Sequence, residues 1–73
     1  MQIKVWTKQP NHFIRATGQV LQERECSQAA IDALLNGHFD GDMVMFTDLS
    51  VAQFTALEDT AVRMGLAYDG LQA

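Results

Sequence analysis

The chain has 73 residues, of which 48% are hydrophobic, and it carries nine acidic residues against five basic ones. This length predicts one small domain over residues 1–73, and the hydrophobic content excludes a disordered chain. Cys26 is the only cysteine, which excludes a disulfide framework. The formal net charge of −4 argues against general DNA binding, because such proteins need basic residues to neutralise phosphates.

The first residues show no basic segment followed by an apolar run, so we expect no signal peptide. The longest apolar run covers residues 43–46, which is far too short to span a membrane. These features favour a cytoplasmic protein without a membrane partner.

Charge is distributed unevenly along the chain. Residues 1–24 hold four basic side chains and one acidic one, a charge of +3, whereas residues 25–73 hold one basic and eight acidic ones, a charge of −7. Such an asymmetry can steer a charged partner, although it does not determine the fold.

The first third of the chain predicts a β-hairpin. Residues 2–8 alternate in polarity, residues 9–12 contain the turn signal Pro10-Asn11, and residues 13–20 alternate again. A long helix over residues 14–25 is the alternative, and Gly18 argues against it.

Two helices and a strand are expected in the remainder. The first helix begins at an N-cap, Ser27, and ends at Asn36-Gly37, with Gly37 in the left-handed position. A loop over residues 38–42 and an interior strand over residues 43–46 follow.

The second helix begins with a capping box of Ser50 and Gln53 and ends at Gly65. Its predicted buried stripe consists of Val51, Phe54, Leu57, Ala61 and Met64. A short edge strand over residues 66–68 and a frayed tail over residues 69–73 complete the chain.

These elements predict an α+β fold, a small two-layer sandwich of ββαβα(β) order with a mixed sheet. A right-handed crossover would place both helices on one face of that sheet. The other face is then uncovered.

In the predicted hairpin register, the uncovered face displays Lys4, Trp6, Lys8, Phe13 and Arg15 as a binding surface, with Trp6 and Arg15 in a cation–π pair. Basic residues interleaved with aromatic rings are used to bind single-stranded nucleic acid. Trp and Arg are also enriched in protein interfaces. Ordinary packing of Trp6 under another segment is a third interpretation.

Acidic side chains suggest a second surface, a docking face for a basic partner. It comprises Asp40, Asp42, Asp48, Glu58 and Asp59, with Asp69 nearby. A solvated surface that aids solubility is the alternative. His38, Asp40 and Asp42 lack the spacing of a calcium loop, so we interpret Gly41 between the aspartates as a turn and expect no metal.

No catalytic signature connects Cys26 with His12 or His38, and the five glycines form no phosphate loop. We expect Cys26 to be buried and inert, although its position before a helix would also suit a reactive thiol. No motif identifies a family. The sequence therefore favours a non-enzymatic protein-interaction domain without cofactors, an inhibitor or regulator that binds another protein. A nucleic-acid-binding module is the alternative, and an enzyme subunit or thiol-dependent enzyme around Cys26 is the third hypothesis. A homodimer through the uncovered sheet is compatible with all three.

Overall fold

The computed structural model describes residues 1–71 as an α+β fold, which confirms the expected class. Its elements are strand β1 (Gln2–Trp6), helix α1 (Pro10–Glu23), helix α2 (Gln28–Asp32), a 3₁₀ turn (Ala33–Asn36), strands β2 (His38–Asp40) and β3 (Met43–Phe46), helix α3 (Val51–Arg63) and strand β4 (Ala67–Leu71).

The four strands form one sheet in the order β2-β3-β1-β4. Every neighbouring pair is antiparallel, so the prediction of a mixed sheet is wrong. Apart from α2 and the 3₁₀ turn, the chain follows a β-α-β-β-α-β order, the ferredoxin-like or split β-α-β topology. A topology of this kind supports many unrelated functions, so it identifies none.

The predicted β-hairpin is the main error, because residues 13–20 lie within α1. The buried residues of this helix are Phe13, Ile14, Thr17, Val20 and Leu21. A strand would divide them between two faces, whereas helical spacing places all five on one side. Pro10 stands at the first helical position, where its fixed φ angle and missing N–H are tolerated. Because the second strand of that hairpin is absent, the predicted ββαβα(β) order is also wrong.

Helices α1 and α3 cover the same face of the sheet. Ile3 of β1 lies directly opposite Phe46 of β3 and Gly70 of β4, so these three positions share one face. The Phe13 ring of α1 lies 6.5 Å from the Phe46 ring. The Phe54 ring of α3 packs so closely on Gly70 that a Cβ atom there would come within 2.7 Å of it.

One hydrophobic cluster fills the space between the sheet and the helices. Its members are Ile3, Val5, Phe13, Ile14, Val20, Leu21, Leu34, Val44, Phe46, Phe54, Ala56, Leu57 and Ala61. Phe54, Leu57 and Ala61 confirm most of the expected stripe on α3, but Val51 is 70% exposed.

Local signals at the helix ends are mostly confirmed. Ser27 caps α2, Ser50 and Gln53 form the predicted capping box of α3, and Gly65 takes a φ of 69°. Gly37 differs from the prediction, since its φ is −59°. Its role is steric, because a Cβ atom there would lie 2.6 Å from the Phe46 ring.

Two segments expected to lack regular structure belong to the sheet. Residues 38–40 form β2 rather than a loop, and they pair with β3. Residues 69–71 pair with β1 instead of fraying. Residues 72 and 73, the rest of the predicted tail, lie outside the described residues. Within residues 1–71, no helix has the length and apolar character needed to cross a membrane.

Candidate protein-interaction face

The face of the sheet opposite the helices is the candidate site. Directly opposed residues in antiparallel strands point to the same side, so the register defines the members of this face. We call it the open sheet face, and it consists of Gln2, Lys4, Trp6, His38, Asp40, Met43, Met45, Ala67, Asp69 and Leu71. No helix or strand within residues 1–71 packs over it.

The open sheet face has an apolar patch, formed by Trp6, Met43 and Met45, at the end where β1 finishes and β3 begins. Trp6 of β1 lies opposite Met43 of β3 on one side and Ala67 of β4 on the other. Met45 is two residues beyond Met43 in β3, so its side chain is next to that of Met43 on this face. Trp6 is 43% exposed, which leaves a large aromatic surface in water. Thioether and indole groups pack favourably against other apolar surfaces.

Charged groups and Met45 share the next row, which is the middle row of the face. His38, Met45, Lys4 and Asp69 follow one another from β2 to β4. Lys4 lies directly opposite Asp69, which brings opposite charges together. With Asp40 at the β2 edge, the face carries one lysine and two carboxylates. It is therefore close to neutral.

The five residues predicted to form one binding surface do not come together. Lys4 and Trp6 lie on the open sheet face, and Lys8 follows β1 in the loop before α1. Phe13 is fully buried beneath the opposite face, and Arg15 is exposed on α1. The predicted Trp6–Arg15 cation–π pair is therefore wrong, because it required Arg15 on a strand beside β1.

A shallow groove extends the open sheet face at the end of β1. Its volume is about 610 Å³, and it is lined by Trp6, Thr7, Lys8, Gln9, Asp42, Met64 and Leu66. Trp6 belongs to both surfaces, so the groove and the apolar patch form one continuous region. Lys8 and Asp42 add one charge of each sign to its rim.

The acidic residues predicted as a docking face are dispersed. Asp40 and Asp42 lie at the β2–β3 turn, while Asp48 follows the other end of β3, about 20 Å further along an extended chain. Asp59 accepts a 2.6 Å hydrogen bond from Arg24 in an ion pair that joins the end of α1 to α3. Glu58 lies on α3, next in sequence to the paired Asp59. The structure therefore presents no single acidic surface.

Cys26 and the two histidines are also separate. Cys26 is half-buried after the end of α1, whereas His12 is on α1 and His38 on β2. Across residues 1–71, no three His, Cys, Asp or Glu side chains converge as metal ligands would. The aspartates around Gly41 flank a turn in which Gly41 has a φ of 61°.

A second groove, of about 450 Å³, lies between α1 and α2. Gly18 and Ile31 meet in it, and Leu35 at its rim is 73% exposed. Leu35 shares this groove with Ile14 and Ile31, and it lies outside the open sheet face. It provides a matched control position for substitutions on the open sheet face.

Compared with protein-family models, curated proteins and solved structures, the chain matches none.

Sequence reasoning found Trp6 and Lys4 but missed the methionines, His38 and Asp69 as their neighbours. The sequence predicts residues 43–46 as an interior strand or one covered on both faces; β3 is interior to the sheet, but its burial alternates between its faces. The run Met43–Phe46 is apolar throughout, so its pattern gave no sign that one side is open. Only the strand order brings these side chains beside Trp6.

Proposed function

We propose that this protein is a non-enzymatic protein-interaction domain, an inhibitor or regulator that acts by binding protein through the open sheet face. The observation that carries the proposal is the apolar patch of exposed Trp6 and half-buried Met43 and Met45, at one end of a face that the helices leave uncovered. Exposed apolar patches with polar rims are characteristic of protein interfaces. Trp and Met are enriched in such interfaces.

The composition of the face favours protein over nucleic acid. Sheets that bind single-stranded nucleic acid combine several stacking aromatics with basic residues along the backbone path. The open sheet face has one large aromatic ring, that of Trp6, and the smaller imidazole of His38. Its one lysine, Lys4, is outnumbered by the carboxylates of Asp40 and Asp69. The overall charge of −4 opposes phosphate binding further.

The sheet edges are less suited to binding than the face. Each edge strand, β2 and β4, has an aspartate in it, Asp40 or Asp69. Charged side chains on edge strands discourage pairing with another strand. Strand addition would also leave Trp6 and the two methionines uncovered, whereas binding on the face buries them.

The proposal is tested by affinity capture with tagged wild-type protein and three variants. Trp6→Ala removes the ring, and Met45→Glu places a charge in the apolar patch. Leu35→Glu makes the same kind of change at an exposed position outside the open sheet face. We expect wild type and Leu35→Glu to retain the same bound protein, including untagged copies of this chain. Trp6→Ala and Met45→Glu should lose it. If all four retain it equally, binding does not involve the open sheet face.

The fluorescence of Trp6 also tests for nucleic-acid binding, because Trp6 is the only tryptophan in the sequence. We expect its fluorescence to stay unchanged when single-stranded oligonucleotide is added at low salt. Quenching that is reversed by added salt would instead indicate stacking and phosphate contacts. That result would replace protein binding with the nucleic-acid function.

A further inference from the structure

We propose that the open sheet face carries a binding site for a soft monovalent metal ion, copper(I), with His38, Met43 and Met45 as its ligands. The site goes beyond the proposed function and does not depend on it. It rests on three nitrogen and sulfur donors that the pairing of β2 with β3 places next to one another.

The strand register brings the three donors to one half of the face. His38 of β2 lies directly opposite Met45 of β3, which separates their Cβ atoms by about 5 Å. Met43 is two residues before Met45 on the same side of β3, at a distance of about 7 Å. The diagonal from His38 to Met43 is then about 7–8 Å. One ion above these positions is within reach of all three, because a methionine side chain is unbranched and has three rotatable bonds.

The donors are accessible from solvent and are not needed for the core. His38 is exposed, and the two methionines are half-buried. The hydrophobic cluster between sheet and helices takes Val44 and Phe46 from β3 and neither methionine. An ion can therefore reach Met43 and Met45 without any movement of the helices.

The types of donor select the ion. Thioether sulfur is a soft ligand that favours copper(I), and imidazole also binds copper. Zinc sites use thiolate, imidazole and carboxylate, whereas calcium and magnesium take oxygen. Within residues 1–71, no three His, Cys, Asp or Glu side chains converge, so the donors that those ions require are lacking. The oxygen donors around Gly41 predict no metal site, and sulfur donors join His38 only through the strand pairing.

The surrounding charges suit an ion with one positive charge. Two thioethers and a neutral imidazole leave bound copper(I) with its charge of +1. Asp40 lies directly opposite Met43 and supplies a carboxylate beside the site. Lys4 lies on the other side of Met45, but it is also opposite Asp69, which offsets its charge. The net charge of −4 attracts cations to the molecule.

Trp6 lies beside the site and provides a signal for it. Its position is directly opposite Met43, on the side of β3 away from β2. A cation within about 6 Å of the centre of an indole ring is attracted by the ring's electrons. Because Trp6 is the only tryptophan, a change in its fluorescence reports on an ion bound at Met43.

Titration with silver nitrate in a chloride-free buffer, followed by Trp6 fluorescence, tests the site. Silver(I) has the charge and softness of copper(I) without its redox chemistry. All proteins carry Cys26→Ala, because a free thiol binds soft ions by itself. We expect quenching that saturates at one ion per chain. Met43→Leu and Met45→Leu keep the side-chain volume but remove the sulfur, so each should weaken binding by at least about tenfold.

Two matched controls accompany these variants. Met64→Leu removes a methionine that lines the groove beside Trp6 but is outside the open sheet face, and it should bind silver as tightly as the parent. His38→Asn should weaken binding by at least about tenfold, whereas His12→Asn, on α1, should leave it unchanged.

Methyl NMR identifies the sulfur ligands directly. Labelling the methionine methyl groups with carbon-13 gives separate signals for Met43, Met45 and Met64. Silver(I) should shift the first two and leave that of Met64 in place. Zinc(II) at the same concentration should shift none of them. Competition with the copper(I) chelator bicinchoninate, in the presence of ascorbate, should show that the parent takes up copper(I) and that Met43→Leu does so at least about tenfold less tightly.

The outcomes separate this site from the proposed function. Equal silver affinity in the parent, Met43→Leu and Met45→Leu overturns the site, as does a silver-induced shift confined to Met64. Silver binding without copper(I) binding overturns the choice of ion. Met45→Leu that loses the ion but still captures protein supports the site, because leucine preserves the apolar patch. Protein capture that survives Trp6→Ala and Met45→Glu overturns the proposed function alone.

Discussion

Glu25 is a residue whose backbone conformation does not follow from its type. It has a φ of 60°, in the left-handed region that favours glycine. Its N–H donates to the carbonyl of Gln22, and the N–H of Cys26 donates to that of Leu21. Gly65 and Leu66 make the equivalent bonds at the end of α3. Helices α1 and α3 both end in a Schellman motif, but only α3 has a glycine in the left-handed position, the residue from which the motif is predicted.

Glu25→Gly is therefore expected to stabilise the protein by about 0.5–1 kcal/mol, since glycine relieves the left-handed strain at some cost in unfolded-state entropy. Urea unfolding monitored by circular dichroism measures the change. Gln19→Gly, at an exposed position inside α1, is the control and should destabilise by about 1 kcal/mol. A destabilised Glu25→Gly variant would contradict the left-handed assignment.

At the scale of elements, α1 illustrates how two periodicities compete. Residues 13–20 alternate as a strand would, yet Phe13, Thr17 and Leu21 also share a helical face with Ile14 and Val20. Pro10 at the first position favoured the helix, and Gly18 opposed it. The decision came from packing, because only the helix buries the apolar residues on one side.

Gly18→Ala tests that interpretation. The new Cβ atom would lie 3.4 Å from Ile31 Cγ2, which is ordinary contact, so the higher helix propensity of alanine should stabilise the protein by roughly 0.5–1 kcal/mol. Gly37→Ala, where the Cβ atom would overlap the Phe46 ring, should destabilise it by about 1–3 kcal/mol. Thermal melts of the two variants give the comparison, and a destabilised Gly18→Ala variant would argue against a helix at this position.

At the scale of the whole molecule, the fold assigns opposite roles to Trp6 and Phe13. Both were expected on one exposed surface, but the Phe13 side chain is fully buried between helix and sheet. Trp6 lies on the other side of the sheet with 43% of its surface exposed. The two-layer architecture thus separates a structural aromatic from one available for binding.

Phe13→Ala should destabilise the protein by about 3–5 kcal/mol, a large part of the 5–15 kcal/mol typical of a folded domain. Trp6→Ala should lower the free energy of unfolding by about 1 kcal/mol, because the ring is already partly solvated. Chemical denaturation of both variants at a concentration where the protein is monomeric measures the difference. Equal losses would contradict the division between core and open face.

The features of this structure that depend only on neighbouring residues in the chain could be predicted from the sequence. Ser27, the Ser50–Gln53 capping box and Gly65 act within one turn of helix, so their roles were readable from the sequence. Strand β3 and the stripe of α3 followed from apolar patterns within each element.

The tertiary structure alone decided which residues meet. Met43, His38 and Asp69 are distant from Trp6 or Lys4 in the chain, and they share a face because β1 lies between β3 and β4 in an antiparallel sheet. The same long-range packing makes residues 13–20 helical. Burial of Phe13 and Leu21 on one side of the helix outweighs the low helix propensity of Gly18. The sequence by itself proposed Trp6 as a binding residue, and the strand order supplied its neighbours.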